Sequence, residues 1–171
     1  VDVQNDFCEG GSLAVEGGIA TAGKIADHLR ACGGDYDLVI ATRDWHSPDN
    51  DNGGHFAATP DYIDTWPAHC VANTSGAAFQ ALVWPEEGEY PHTEVHKGYG
   101  KPAYSGFEGV DHEGRSLETI LKNAGITTVD VVGIAFDYCV KATAIDAATA
   151  GFQVTVLEDL TAAIHHDDTS A

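Results

Sequence analysis

The chain contains no methionine, only 8 lysines and arginines against 27 aspartates and glutamates, and no C-x-x-C pair. Each shortage excludes something. A formal charge of −19 argues against a nucleic-acid backbone or an anionic membrane as partner, because both would be repelled. It would also repel a polyanionic substrate unless a metal or a local lysine inverts the field. No apolar run reaches the length of a membrane span. The N-terminus lacks the basic region and apolar stretch of a signal peptide. Cys8, Cys32, Cys70 and Cys139 are too widely spaced, in a chain large enough for its own core, to read as a disulfide framework. That pattern points to a reducing, cytoplasmic compartment. With no initiator methionine, a start inside a strand-like stretch and an end at T-S-A without a closing element, the sequence reads as an excerpt lacking both ends.

What is present is the composition of one globular domain spanning residues 1–171, with 43% hydrophobic residues. Val1 to Phe7 reads as the end of a strand entering a polar loop. Ile19 to Cys32 carries Ala22, Ile25, Ala26 and Leu29 at helical spacing before Gly33-Gly34. Asp37 to Thr42 and Thr93 to Lys97 read as short strands, and Ser75 to Val83 as a short helix. Leu117, Ile120, Leu121 and Ala124 form a helical stripe behind the N-cap candidate Ser116. Val129 to Ile134 has the branching of a buried strand, followed by an Ala-rich helix ending near Gly151. Gln153 to Leu157 reads as the last strand. Strands alternating with helices predict an α/β fold, a mainly parallel sheet covered by helices on both faces.

Three residues fall where such a sheet gathers chemistry, at its carboxyl edge. Cys139 lies at the start of the last helix, where the helix dipole and unpaired N–H groups favour a thiolate. Taken alone it reads more readily as a small buried hydrophobe, since free cysteine is among the most buried residue types. Asp2 and Lys97 lie at strand ends, with Lys101 a rival to Lys97 and solvated surface charge the plainer reading of each. The stretch from Arg43 to Val71 is too long to be an idle connection. It holds Asp44, His46, His55 and His69, an oxygen-and-three-nitrogen set suited to Zn²⁺, Fe²⁺ or Mn²⁺. Asp44 and His46, two apart just after a strand, project to one side. The spacing among the three histidines matches no short metal motif.

In order, the chain shows V-D-V-Q-N-D-F, D-W-H…H…W-P-x-H-C, K-G…Y-S-G-F-E-G and G-I-A-x-D-Y-C-V. Together they resemble the nicotinamidases, pyrazinamidase-type members of the isochorismatase-like cysteine hydrolases, and the resemblance covers the whole chain. It implies a three-layer α/β/α fold. It implies a catalytic Asp2, Lys97 and Cys139, with Lys97 preferred over Lys101 because it precedes the glycine. It implies one divalent metal on Asp44, His46, His55 and His69, whether zinc, iron or manganese. It implies a cis peptide at Ile134–Ala135 and an oxyanion hole from the Ala135 and Cys139 N–H groups. Phe7, Leu13, Trp66, Tyr104, Ile134 and Tyr138 match positions that bind the pyridine ring. The implied reaction is hydrolysis of nicotinamide, and of pyrazinamide, to the acid and ammonia through a Cys thioester, in NAD salvage. No nucleic acid or membrane is an expected partner, and a homo-oligomer is compatible with the family. Three other readings compete: a sister cysteine hydrolase acting on another small amide or carbamoyl compound, a metalloenzyme whose metal-bound water is the nucleophile, and a non-catalytic binder.

Overall fold

The computed structural model describes residues 1–165; the expected lack of a closing element at residues 169–171 falls outside them. The regular elements, in order, are α1 (Gly18–Cys32), β1 (Ile40–Asp44), β2 (Thr93–Lys97), α2 (Leu117–Asn123), β3 (Thr128–Ile134), α3 (Lys141–Thr149) and β4 (Gln153–Ala162). All strand pairing between them is parallel: β1 with β2, in a register that sets Asp44 opposite Lys97, and β3 with β4. The N-terminal segment bridges the two pairs. The Val1 nitrogen donates to the Val132 carbonyl at 2.7 Å, Ile134 N–H donates to Val1 O at 3.0 Å and Asp2 N–H donates to Thr42 O at 3.1 Å. A Cβ on Gly133 would run into the Val1 backbone, so that passage requires glycine there.

Two apolar cores flank the strands. One gathers Ala22, Ile25 and Leu29 of α1 with Val39, Val132 and Ala162. The other gathers Leu117 and Leu121 of α2 and Ala147 of α3 with Ile40, Val129 and Val154. Neighbours such as Val39 and Ile40 serve opposite cores, as the two-residue period of an extended chain demands. The parallel α/β architecture expected from the sequence therefore holds.

Four local expectations are corrected. The strand placed at Asp37–Thr42 begins at Ile40 and continues to Asp44, because the ladder to β2 starts at Ile40 opposite Thr93 while Val39 N–H is taken by the His92 ring. Ser75–Val83 forms only a short turn at Ser75–Ala77. Its backbone groups go instead to the N-terminal segment: Ala78 O accepts from Asn5 N–H and Gln80 N–H donates to Val3 O. The last strand runs past Leu157 to Ala162, since a register shift after Val131 lets Gly133 and Ile134 pair with Thr161 and Ala162. Cys139 does not open an α-helix. It sits in a wider π-type turn, Phe136–Val140, ahead of α3, where Val140 N–H reaches back five residues to Ala135 O. Such turns recur at functional sites.

Candidate active site

Asp2, Lys97 and Cys139 meet at the strand ends. Lys97, buried at the end of β2, places Nζ 2.8 Å from Asp2 Oδ2, 2.5 Å from Asp44 Oδ1 and 3.9 Å from Cys139 Sγ. Lys101 is exposed. Asp2 takes a left-handed backbone, φ 49°, which aspartate tolerates better than most residues. Thr42 Oγ1 donates to Asp2 Oδ1 at 2.6 Å, so both carboxylate oxygens are partnered. Gln4 spans from Asp44 to Ala77: its Nε2 donates to both carbonyls and its Oε1 accepts from Asp44 N–H at 2.9 Å.

Burial works against the Lys97 charge, yet Asp2, Asp44 and Cys139 outweigh it and hold its pKa well above the ordinary lysine value. Burial would likewise raise the Asp44 carboxyl, but Lys97, His46 and His69 hold it well below the usual carboxylate range. Cys139 departs from the sequence expectation of a thiolate. Burial pushes its thiol well above the ordinary cysteine value, and Asp2 and Asp44 add to this against the opposing pull of Lys97. Burial of this kind favours the neutral thiol over the thiolate.

The histidines converge beside this cluster. His46, His55 and His69 are buried, and one ring nitrogen of each lies within 4.8 Å of the others. Asp44 Oδ2 lies 3.4 Å from His46 Nε2 and 3.5 Å from His69 Nε2. The outward nitrogens are fixed by backbone carbonyls, His46 Nδ1 against Gly98 O and His69 Nδ1 against Pro67 O, each at 2.8 Å. Imidazoles held this way present the other nitrogen to a metal. Two buried ring nitrogens, His46 Nε2 and His55 Nδ1, have no hydrogen-bond partner among the described residues. Orphaned buried acceptors beside a carboxylate fit a divalent cation. Burial, with neighbouring His69 and His46, lowers the His55 pKa to about 3, so this ring stays neutral and able to ligate.

Local chemistry explains why the long loop folds this way. The buried Asn52 side chain accepts from Ser47 N–H at 2.7 Å and from Gly100 N–H at 2.9 Å, closing the stretch between His46 and His55. His55 and Trp66 are stitched together by a 2.9 Å bond from Trp66 N–H to His55 O. After His69 the chain turns at Cys70, whose N–H donates to Asp6 Oδ2 at 2.8 Å. Gly98 has φ +86°, and a Cβ there would come within 2.7 Å of the His46 ring. The glycine after Lys97 therefore serves the histidine that its own carbonyl orients.

A narrow cavity opens onto both groups. Its walls include Phe7, Leu13, Trp66, Tyr104 and Tyr138, with Asp44, His55, His69, Ala135 and Cys139 also exposed to it. Trp66 Nε1 donates to Tyr104 OH at 3.2 Å, and Trp66 and Tyr138 meet edge to face at 5.0 Å. Ile134 is fully buried in the core and does not line the cavity, although Ala135 beside it does. The Ile134–Ala135 bond is cis. Sequence reasoning missed Thr42, Gln4, Ala103 and Ile164. Only Gln4 lay inside a quoted motif; the others carry no signal beyond position.

A cysteine, a carboxylate and a lysine meet at the carboxyl edge of parallel strands, beside three histidines and an aspartate whose arrangement fits a metal ion, and the class that the fold defines is the isochorismatase-like hydrolases. Residues 1–171 match the family model described as Isochorismatase domain, and the chain belongs to that family. It is 51% identical over 171 residues to the nicotinamidase/pyrazinamidase of Mycobacterium tuberculosis, covering 100% of this chain and 88% of that protein. The zinc complex of Pyrococcus horikoshii pyrazinamidase superposes with a TM-score of 0.79 at 37% identity, over 98% of this chain and 86% of the other. PnC1 from L. infantum in complex with nicotinate gives a TM-score of 0.77 at 34% identity, over 99% and 81%.

Proposed function

We propose that residues 1–171 act as one hydrolase domain that deamidates nicotinamide to nicotinate and ammonia, within NAD salvage in the cytoplasm, and accepts pyrazinamide. The observation that carries this reading is the contact of Lys97 with Asp2 and with Cys139, the one of the three that lines the aromatic cavity, together with the 51% identity to a nicotinamidase/pyrazinamidase.

Asp2 takes the Cys139 thiol proton as sulfur attacks the carboxamide carbon, and Lys97 keeps the separated charges adjacent. The Ala135 and Cys139 N–H groups receive the tetrahedral oxyanion, each donor contributing roughly 3–4 kcal/mol in comparable sites. Asp2 returns its proton to nitrogen, the carbon–nitrogen bond breaks and ammonia leaves an acyl thioester. A water, deprotonated by Asp2, then cleaves the thioester to carboxylate and thiol. Asp44, His46, His55 and His69 are the residues that would hold a divalent metal, zinc, iron or manganese. The chemistry it supplies when bound is a Lewis-acid position for the ring nitrogen. Phe7, Leu13, Trp66, Tyr104 and Tyr138 clamp the ring faces and exclude water. Ile134 supports this wall from behind, through Ala135. A neutral substrate meets no barrier from the acidic surface. A homo-oligomer is compatible with a site whose residues all come from one chain.

The deciding measurement is ammonia release from nicotinamide by the metal-loaded protein. Turnover that disappears in Cys139→Ala is the expected result. Turnover retained in that variant would mean that the thiol is not the nucleophile.

A further inference from the structure

The segment Ala163–His165, where the chain leaves β4, is tied to the nucleophile turn by a residue that the reaction does not use. Asp137 lies two positions before Cys139. Its Oδ1 accepts from Ile164 N–H and its Oδ2 from His165 N–H, each at 2.9 Å. Two backbone bonds to one carboxylate are charge-assisted and fix both residues. Ile164 thereby faces the cavity alongside Cys139 and Trp66. His165 extends the tie: its Nε2 lies 3.0 Å from Tyr62 O and 3.3 Å from Tyr138 OH. A carbonyl only accepts, so Nε2 carries the proton. Tyr62 belongs to the histidine-bearing loop and meets Trp66 edge to face at 6.2 Å. The nucleophile turn, the metal loop and the exit from β4 are thus joined through one imidazole.

The walls differ in what holds them. Trp66 is buried and hydrogen-bonded to Tyr104, and Phe7 is part of the main core. Ile164 is a partly buried, branched aliphatic wall that packs against the edge of the same core from the exit of β4, and the Asp137 carboxylate fixes its backbone there. We propose that Ile164 is the size-limiting wall for substituents on the ring, with Asp137 and His165 as the positioning residues that hold it there. This rests on the reading that the cavity takes a pyridine carboxamide.

The test uses the metal-loaded chain and two probes, nicotinate and 5-methylnicotinate, with binding followed by tryptophan fluorescence and nicotinamide kinetics measured in parallel. Ile164→Ala is expected to improve 5-methylnicotinate relative to nicotinate by about tenfold or more, the scale of one methyl group in an apolar pocket. Its kcat on nicotinamide should stay within about threefold of the parent, with the change falling on KM. Asp137→Ala should move the methyl ratio the same way, while His165→Gln, which keeps a side-chain donor, should hold it near the parent value. An unchanged ratio in folded Ile164→Ala, or a fall in kcat alone, would overturn the proposal. Ile164→Ala leaves both main-chain bonds to Asp137 in place, so it decides the matter even where Asp137→Ala does not fold. A parent protein that binds nicotinate but releases no ammonia from nicotinamide would overturn the hydrolase reading and leave the methyl ratio to judge the Ile164 wall. A parent that binds no nicotinate would overturn both.

Discussion

Asp2, Lys97 and Cys139 come from three distant parts of the chain and meet only where the strands end, whereas His46, His55 and His69 come from a single loop. The first group is paired throughout: every charge has a buried opposite charge or hydrogen-bond donor within reach. The second contains ring nitrogens without a hydrogen-bond partner among the described residues. One half of the site is thus complete without a ligand and the other is built to receive one. Asp44 belongs to both, with Oδ1 on Lys97 and Oδ2 toward His46 and His69. The difference teaches that chemistry and ring placement rest on separable supports sharing one carboxylate, and mutations should divide accordingly.

The largest separation comes from Cys139→Ala. Activity should fall by about 10⁴-fold or more, as for removal of a nucleophile that works as part of a unit, while metal content by elemental analysis stays at the parent level. Next is Lys97→Met. It leaves Asp2 and Asp44 buried without their cation, and breaking such a cluster costs about 3–5 kcal/mol, read as a lower denaturation midpoint. A Lys97→Met protein as stable as the parent would mean that the carboxylates shed their charge instead.

These two halves were not equally legible in the sequence. Cys139, Asp2 and Lys97 stood out because the sequence reads each as closing a strand or opening a helix, and strand ends are where parallel sheets place ligands, although Cys139 proves to lie in the wider turn ahead of α3. The histidines were visible as residue types in a long loop, but their convergence depends on Asn52, Asp6 and Gly98, whose contacts span stretches that no periodicity connects. The same limit hid the true end of β4, where Glu158 and Asp159 interrupt the apolar pattern although the ladder to β3 resumes beyond them. It also hid the upward push on the Cys139 thiol, because helix position argues for a thiolate and only the packed structure reveals the burial that opposes it.

The histidine half should respond to proton and metal rather than to charge pairing. In metal-stripped protein the His55 pKa of about 3 lies below its unfolded value of about 6.5. The folded state therefore binds fewer protons than the unfolded one between those limits. The resulting stability is present above about pH 6.5 and is lost as pH falls toward about 3. Denaturation midpoints of the stripped protein should decline across that window, and His55→Gln should flatten the decline. Metal loading should raise the midpoints above the ligands' titration range and steepen the decline, because the metal binds the unprotonated rings and is released as they take up protons. An identical acid limb in His55→Gln would assign it to another group.

The smallest expected effect is the most local. Thr42 Oγ1 donates to Asp2 Oδ1 and accepts from Asp2 N–H at 3.2 Å, so the hydroxyl fixes both the carboxylate and the left-handed turn that carries it. Thr42→Val keeps the shape in the core and removes only these bonds. Asp2 would keep its bond to Lys97 through Oδ2, so the base survives but loses its second anchor. A bond of this kind to a charged group contributes about 1.5–3 kcal/mol, and the part felt by the reaction is its effect on orientation. The rate kcat should drop by about tenfold, with KM and metal content unchanged, since the ring and its ligands lie on the other side of Asp44. A rise in KM equal to the fall in kcat/KM would instead couple Thr42 to ring placement, and the division of the site at Asp44 would not stand.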